Sequence, residues 1–329
     1  MSSQTAPVNL SDIQAPLLCR LDEVRGEIRR VVQSDFGLIA EVNAHLLQMQ
    51  GKLFRPTLVL LAEQAVGGAT PRAATLAAVL ELIHLATLVH DDSVDHSTLR
   101  RGMPTINALF SHQISVIMGD YLYSRAMVEL VRLDDLEPLR IAARVTNEMT
   151  VGEMRQLLAV EPMDFSEAEY DLLIRAKTAS LMSGACEIGA LAGSTEERAA
   201  LRRFGEYLGM AFQIVDDLLD YTGDATETGK PSGADLREHK MTLPLIRALG
   251  VMSGKEREAV KRLMRTPEPR DEQIAEVIES VSASGGLEYA GTRAAALGAL
   301  AEAEVDRLRP SAARESLRAT IPYVLERRR

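Results

Sequence analysis

The sequence predicts an all-α protein, a single large domain of long helices over residues 1–329, and three observations carry that prediction. Apolar residues recur at three- and four-residue steps along most of the chain, and convincing alternating strands are absent. Aromatics make up only 4% of the residues and Trp is missing, which suits tightly packed Leu, Ala and Val helices better than a β-sandwich.

The helical stretches follow one another between clear breaks. Phe36–Met49 precedes a basic turn, Gly51-Lys52-Leu53-Phe54-Arg55-Pro56. Leu76–Val89 follows Gly67-Gly68 and is separated from Ile114–Val131 by Arg101-Gly102-Met103-Pro104. Leu139–Leu158, Glu167–Gly193 and Glu196–Tyr221 come next, the last closed by Gly229-Lys230-Pro231. Leu243–Leu249 and Glu256–Met264 lead to Thr266-Pro267-Glu268-Pro269. Glu272–Ala283 and Leu287–Leu308 flank Gly285-Gly286. No break is long enough for an interdomain linker, and the first ten residues read as a flexible tail.

Bulk composition excludes several classes. At 46% hydrophobic and 26% charged, the chain has ample material for a core. Its net charge of −10 speaks against nonspecific nucleic-acid binding. Cys19 and Cys186 stand far apart, outside any metal-ligand spacing, which fits a reducing cytosol. Met1 to Asp12 lacks the pattern of a signal peptide, and Glu81 and His84 interrupt the longest apolar run, so no transmembrane segment is expected.

One feature repeats. Asp91-Asp92-Ser93-Val94-Asp95 and Asp216-Asp217-Leu218-Leu219-Asp220 each end a strongly apolar helix. On a helix the first, second and fifth positions of such a cluster share one side, so three like charges crowd together. The helix dipole disfavours anions at that end, and adjacent buried residues add desolvation. A cation must offset this, and clustered carboxylates without His or Cys favour Mg²⁺ or Mn²⁺ over zinc. Basic residues complete the pattern: Lys52 and Arg55, Arg100 and Arg101, Lys177 beside Thr178, Lys230, and Lys240. Arg forks and Lys point charges suit phosphate oxygens, which suggests two anionic substrates, one held through metal and one by cations.

With these blocks in order, the chain resembles the trans-type isoprenyl (polyprenyl) diphosphate synthases, in their medium- and long-chain, octaprenyl-like branch. The resemblance runs from about Gly51 to Leu249 and includes Gly-Lys-Leu-Phe-Arg-Pro (51–56), Glu-Leu-Ile-His (81–84) and His-Asp-Asp-Ser-Val-Asp (90–95). It continues through Leu-Arg-Arg-Gly-Met-Pro-Thr (99–105), Gly-Asp-Tyr-Leu (119–122), Gly-Glu-Met-Arg-Gln (152–156), Lys-Thr-Ala (177–179), Phe-Gln-Ile-Val-Asp-Asp-Leu-Leu-Asp (212–220), Gly-Lys-Pro (229–231) and Asp-Leu-Arg-Glu-His-Lys (235–240).

The resemblance implies a bundle of long helices around a deep central cavity, in a homodimer. Asp91, Asp92 and Asp95 would bind magnesium from one wall and Asp216, Asp217 and Asp220 from the other, with two or three ions and manganese as a substitute. These ions, with Arg100, Lys177, Lys230 and Lys240, would hold an allylic diphosphate (dimethylallyl, geranyl, farnesyl or geranylgeranyl). Lys52, Arg55, His84 and Arg101 would hold isopentenyl diphosphate. Thr178 and Gln213 would line the reacting region. The product chain would run beneath the first cluster past Ala86 and Thr87, where short-product relatives often carry a bulky aromatic. That predicts a hexaprenyl to decaprenyl product, with Tyr121, Tyr123 or Met127 as candidates for the floor of the tunnel.

Rival readings fit less of the chain. A di-iron bundle needs a second Glu-x-x-His besides Glu81 and His84, and the sequence has none. A terpene cyclase needs no second diphosphate site. A short-chain synthase would be expected to narrow the tunnel, and a noncatalytic partner subunit to lack some of the aspartates or cations.

Overall fold

The computed structural model describes residues 8–49, 51–157, 162–223 and 232–327. Lys230, with its flanking Gly229 and Pro231, lies outside the described residues. The chain opens with α1 (Leu10–Gln14) and a 3₁₀ turn, then α2 (Leu18–Val32), α3 (Gly37–Gln48) and α4 (Phe54–Ala65). Next come α5 (Arg72–Val94), a two-stranded hairpin of β1 (Leu99–Arg100) and β2 (Met103–Pro104), and α6 (Ile106–Leu109). The long α7 (His112–Arg132) and α8 (Leu136–Leu157) precede α9 (Glu167–Ile174), a π-helical turn (Arg175–Ala179) and α10 (Ser180–Gly189). The longest helix, α11 (Thr195–Thr222), is followed by α12 (Ala234–Arg237), α13 (Leu243–Leu249), α14 (Gly254–Arg265), α15 (Asp271–Ala283), α16 (Gly286–Val305) and α17 (Ala312–Leu325).

The all-α expectation holds, and each stretch read from periodicity contains a helix. Among the described residues six helices lie outside those stretches: the short α1, α6 and α12, and the longer α2, α4 and α17. α2 carries a stripe of Leu21, Val24, Ile28 and Val31 that packs on α5. α17 packs on α4, α11 and α16. α4 has no stripe because nearly every residue from Phe54 to Ala65 is buried, and a helix buried on all sides loses its periodic signature.

The core is organised by two helices. α5 packs on α7, α2 and α4; α11 packs on α16, α10 and the π turn. α5 is long and apolar enough to cross a bilayer by length and composition, but it is a core helix here, with most of its apolar stretch buried inside the protein. Both cysteines are free, Cys19 exposed and Cys186 buried.

Candidate active site

Both aspartate clusters fall where their helices end. Asp91 and Asp92 occupy the last turn of α5, and Asp95 caps it by donating its N–H to the Asp91 carbonyl at 2.8 Å. Asp216, Asp217 and Asp220 lie in the last turns of α11. Helix ends of this polarity repel anions, so every carboxylate needs a compensating partner.

The six carboxylates find different partners. Asp92 is buried and takes the Arg100 Nε at 2.8 and 2.7 Å, with the Arg100 Nη2 at 2.7 Å. Asp217 is also buried: Tyr170 Oη donates to one oxygen at 2.5 Å and Gln213 Nε2 to the other at 2.9 Å. Asp220 accepts the backbone N–H groups of Ala234 and Asp235, each at 3.0 Å. Asp216 pairs with Arg327 Nη2 at 2.6 Å. Asp91 and Asp95 have no side-chain hydrogen bond among the described residues. Burial pushes the Asp91 carboxyl up to about 6, with Lys177 drawing it back down and Glu153 and Asp95 pushing it higher.

Lys177 and Thr178 reach this place because of the π turn. Ser180 N–H donates to the Arg175 carbonyl, a five-residue step that offsets α10 from α9 and re-aims the side chains between them. Two close approaches fix the turn. A Cβ at Gly152 of α8 would stand 2.9 Å from the Ala176 Cβ, and one at Gly209 of α11 would stand 2.6 Å from the Ala179 Cα. One turn beyond Gly209, Thr178 Oγ1 donates to Gln213 Oε1 at 2.7 Å, extending the chain through Gln213 to Asp217 and Tyr170. Lys177 Nζ pairs with Glu153 at 2.5 Å and donates to Gln156 Oε1 at 3.1 Å.

Lys240 spans the gap between clusters. It pairs with Glu238, stands 4.0 Å from Asp235, and feels Asp95 of the opposite cluster. Asp235 joins the second wall, and burial, reinforced by Asp220, pushes its carboxyl up to about 7.

The second group of cations surrounds α4 and the hairpin. Arg101 and Gly102 both have positive φ (53° and 75°), the geometry of a tight type I′-like hairpin tip, which sends Arg100 toward Asp92 and Arg101 toward α3. Arg101 Nη1 donates to the Met49 carbonyl at 2.9 Å. Leu53, also at positive φ (51°), turns the chain into α4 and sets Arg55 inside the protein. The Arg55 Nε and the Glu81 Oε2 are both buried without a hydrogen-bond partner. Burial, together with Arg55, Arg101 and Arg100, holds His84 well below the ordinary range, so its imidazole is neutral at pH 7. Lys52 is exposed at the start of this turn.

Along α5, Ala86 is buried and Thr87 is half-buried with its hydroxyl donated to the His84 carbonyl at 2.8 Å. The candidate floor residues lie across from it on α7. Tyr121 Oη donates to the Val32 carbonyl at 3.2 Å, and Tyr123 shares a 3.3 Å hydrogen bond with Thr146.

Residues that complete the site without a role in the sequence reading include Glu153, Tyr170 and Asp235. Glu153 and Asp235 do fall inside motifs that carry the resemblance. Tyr170 has no such signal, since only the tertiary fold brings it to Asp217, 47 positions further along the chain.

Asp91 and Asp235 make stability fall as pH rises. Their folded-state pKa values, about 6 and about 7, lie above the roughly 3.9 of an unfolded aspartate, so the folded protein holds protons that the unfolded chain releases. Protonation therefore favours the fold at low pH, and that benefit is lost as pH climbs through about 6 to 7. In chelator, Tm is expected to drop from about pH 5 to about pH 8 by more in the wild type than in an Asp91→Asn/Asp235→Asn variant. Identical pH profiles would contradict this assignment.

The donor set fits hard divalent cations. Carboxylates line both walls, and Asp91 and Asp95 make no side-chain hydrogen bond or ion pair among the described residues, although Lys177, Arg100 and Lys240 bear on them electrostatically. Mg²⁺ takes one or two carboxylates and keeps its other positions for water and phosphate oxygens, which carboxylates on two walls allow.

An all-helical protein that sets two carboxylate clusters and two groups of cations around one site is built to handle diphosphate anions. The chain belongs to the polyprenyl synthetase family, a family of prenyltransferases, whose profile matches residues 37–281. It is 42% identical over 285 residues to the all-trans-nonaprenyl-diphosphate synthase (geranyl-diphosphate specific) of Rhodobacter capsulatus, covering 86% of this chain and 87% of the relative. It is 37% identical over 289 residues to the octaprenyl diphosphate synthase of Escherichia coli, covering 87% and 89%. Among solved structures, a polyprenyl synthase from Caulobacter crescentus, complexed with calcium and isoprenyl diphosphate, superposes with a TM-score of 0.93 at 32% identity, covering 99% of this chain and 100% of that one.

Proposed function

We propose that the protein condenses isopentenyl diphosphate head to tail with an allylic diphosphate primer, giving an all-trans polyprenyl diphosphate of hexaprenyl to decaprenyl length. The observation that carries this reading is the convergence of Asp91, Asp95, Asp216, Lys177 and Lys240 between the ends of α5 and α11.

The allylic diphosphate binds here, where Asp91, Asp92 and Asp95 on one wall and Asp216, Asp217 and Asp220 on the other would hold Mg²⁺. When bound, the metal neutralises charge growing on the departing diphosphate. Lys177, Lys240 and Arg100 do the same from fixed positions, Arg100 by exchanging Asp92 for phosphate oxygens. Lys230 belongs to this group by its motif. As the C–O bond breaks, Thr178 and Gln213, locked by their mutual hydrogen bond, orient dipoles toward the allylic cation. The double bond of isopentenyl diphosphate, anchored by Lys52, Arg55, Arg101 and the neutral His84, attacks it. A proton then leaves the adjacent carbon, the double bond reforms, and the departed diphosphate accepts that proton. The helical interior keeps water from the cation.

The protein is read as a cytoplasmic homodimer. Exposed Ile117, Val128 and Val131 on α7, with Met154 and Leu157 on α8, give an apolar face suited to a second copy.

Arg327 sits where metal would compete with it. Its side chain is only 9% exposed, stacks 3.8 Å from the Phe212 ring centre and pairs with Asp216. Arg327→Ala is expected to tighten Mg²⁺ binding in the absence of substrate by up to about fivefold, the worth of a partly exposed ion pair. Calorimetric titration checks this, and unchanged or weaker binding would refute it.

The deciding assay uses purified chain, labelled isopentenyl diphosphate, Mg²⁺ and the four primers, with products resolved by length. A chelator-sensitive ladder ending between hexaprenyl and decaprenyl is expected. Arrest at farnesyl or geranylgeranyl would make it a short-chain synthase, and no product from folded protein would make it a partner subunit.

A further inference from the structure

On the outer side of the π turn, four arginines from three parts of the chain meet over one cleft. Arg144 and Arg155 come from α8, Arg175 from the π turn and Arg202 from α11. The cleft has a volume of about 300 Å³. Its two acidic residues are already committed: Glu148 stands 3.4 Å from Arg144, and Glu206 stands 3.3 Å from Arg175. Arg144 is further tied to Glu187 at 2.5 Å. Arg155 and Arg202 have no carboxylate within ion-pair distance among the described residues, and the lining carries four cations against two anions. In a chain of net charge −10, a cleft with surplus positive charge runs against the composition.

We propose that this cleft is a second anion site, separate from the candidate active site, that binds a diphosphate group and tunes the catalytic residues behind it. Arginine forks match the paired oxygens of a diphosphate, and two uncompensated guanidinium groups call for more than one negative charge. A volume of about 300 Å³ is at the lower limit of ligand pockets, large enough for the diphosphate itself but too small for a polyprenyl tail. The choice of diphosphate among polyanions rests on the proposed reaction, which releases one at every condensation.

Coupling to the active site is built into the same segment. Arg175 and Ala176 line the cleft, and the next two residues of the π turn are Lys177 and Thr178. On α8, Arg155 faces the cleft while Glu153 holds Lys177. Ser180, also on the lining, donates its hydroxyl to the Ala176 carbonyl at 2.6 Å, so the cleft wall and the turn move as one. An anion drawing Arg155 and Arg175 together shifts the turn, and with it the Lys177–Glu153 pair.

Hydrogen exchange on the full chain, in chelator and without turnover, tests the site independently of the proposed reaction. Titrated inorganic diphosphate is expected to slow exchange in segments 144–155 and 172–183. That protection should weaken by at least about tenfold in R155E/R202E, while protection around 51–56 persists. Arg155→Gln alone, with a smaller loss, serves if the double variant fails to fold. Geranyl diphosphate should bind the cleft no more tightly than inorganic diphosphate, and orthophosphate less tightly. In turnover assays with added diphosphate, a noncompetitive part of the inhibition should vanish in the double variant, with kcat and KM unchanged in its absence. Protection confined to the active site, protection that survives the charge reversal, or a response to geranyl diphosphate alone would overturn the proposal.

Discussion

Alanine at position 91 is expected to lower kcat by about three orders of magnitude while leaving the fold intact or more stable. Asp91 is mostly buried, makes no side-chain hydrogen bond among the described residues, and has its carboxyl pushed up to about 6 by burial. Such a group opposes folding whenever it is ionised, so nothing in the packing accounts for its presence. Its neighbours Lys177 and Arg100 partly offset the charge, and a divalent cation would offset more of it. Removing it should therefore relieve repulsion with Glu153 and Asp95 while destroying the place where the leaving group is held. Asp92→Ala makes the contrast. It leaves the Arg100 guanidinium without its bidentate partner, so activity and Tm should both fall. Single-turnover rates with labelled isopentenyl diphosphate and thermal melts of both variants check this. Near-normal turnover by Asp91→Ala, or a melt well below wild type, would sink the assignment.

Ala86→Phe is expected to shift the main product down to geranylgeranyl diphosphate or shorter. Position 86 is 3% exposed and precedes Asp91 by little more than one helical turn, on the side of α5 that the growing chain is proposed to follow. A phenyl ring there blocks the path only if the methyl group of Ala86 borders open space. If it borders solid core, the ring must be forced in at about 1–3 kcal/mol, with a matching drop in stability. Product length and Tm therefore separate the two cases. A shorter product with an unchanged melt places the tunnel at α5, whereas an unchanged product with a lowered melt removes it from there.

How much could be read beforehand depended on whether a feature is local. The ends of α5 and α11 were legible because three like charges following an apolar run violate both helix polarity and burial, and that conflict is written within five residues. Arg100 was legible as a cation, but its grip on Asp92 depends on positive φ at Arg101 and Gly102, which the sequence only suggests through one glycine. The Glu167–Gly193 stretch reads as continuous helix because the inserted residue of a π turn barely disturbs a 3.6-residue pattern over so short a span. Yet that insertion is what aims Lys177 and Thr178. α4 leaves no periodic signature for the opposite reason, being buried on nearly every side. Tyr170 and Asp235 become meaningful only once α9 and α12 fold against the end of α11.

The charges of the site largely satisfy one another before any substrate arrives: Arg100 with Asp92, Lys177 with Glu153, Arg327 with Asp216 and Lys240 with Glu238. Loading such a site is an exchange of ions rather than a neutralisation. At these paired positions free metal displaces a guanidinium or ammonium group and free diphosphate displaces a carboxylate, so each alone meets competition there. A metal–diphosphate complex brings both charges together and lets every internal pair swap partners in one step. Because the net charge of the pocket then changes little, affinity for that complex should depend only weakly on ionic strength. Binding of either component alone should weaken steeply as salt is raised.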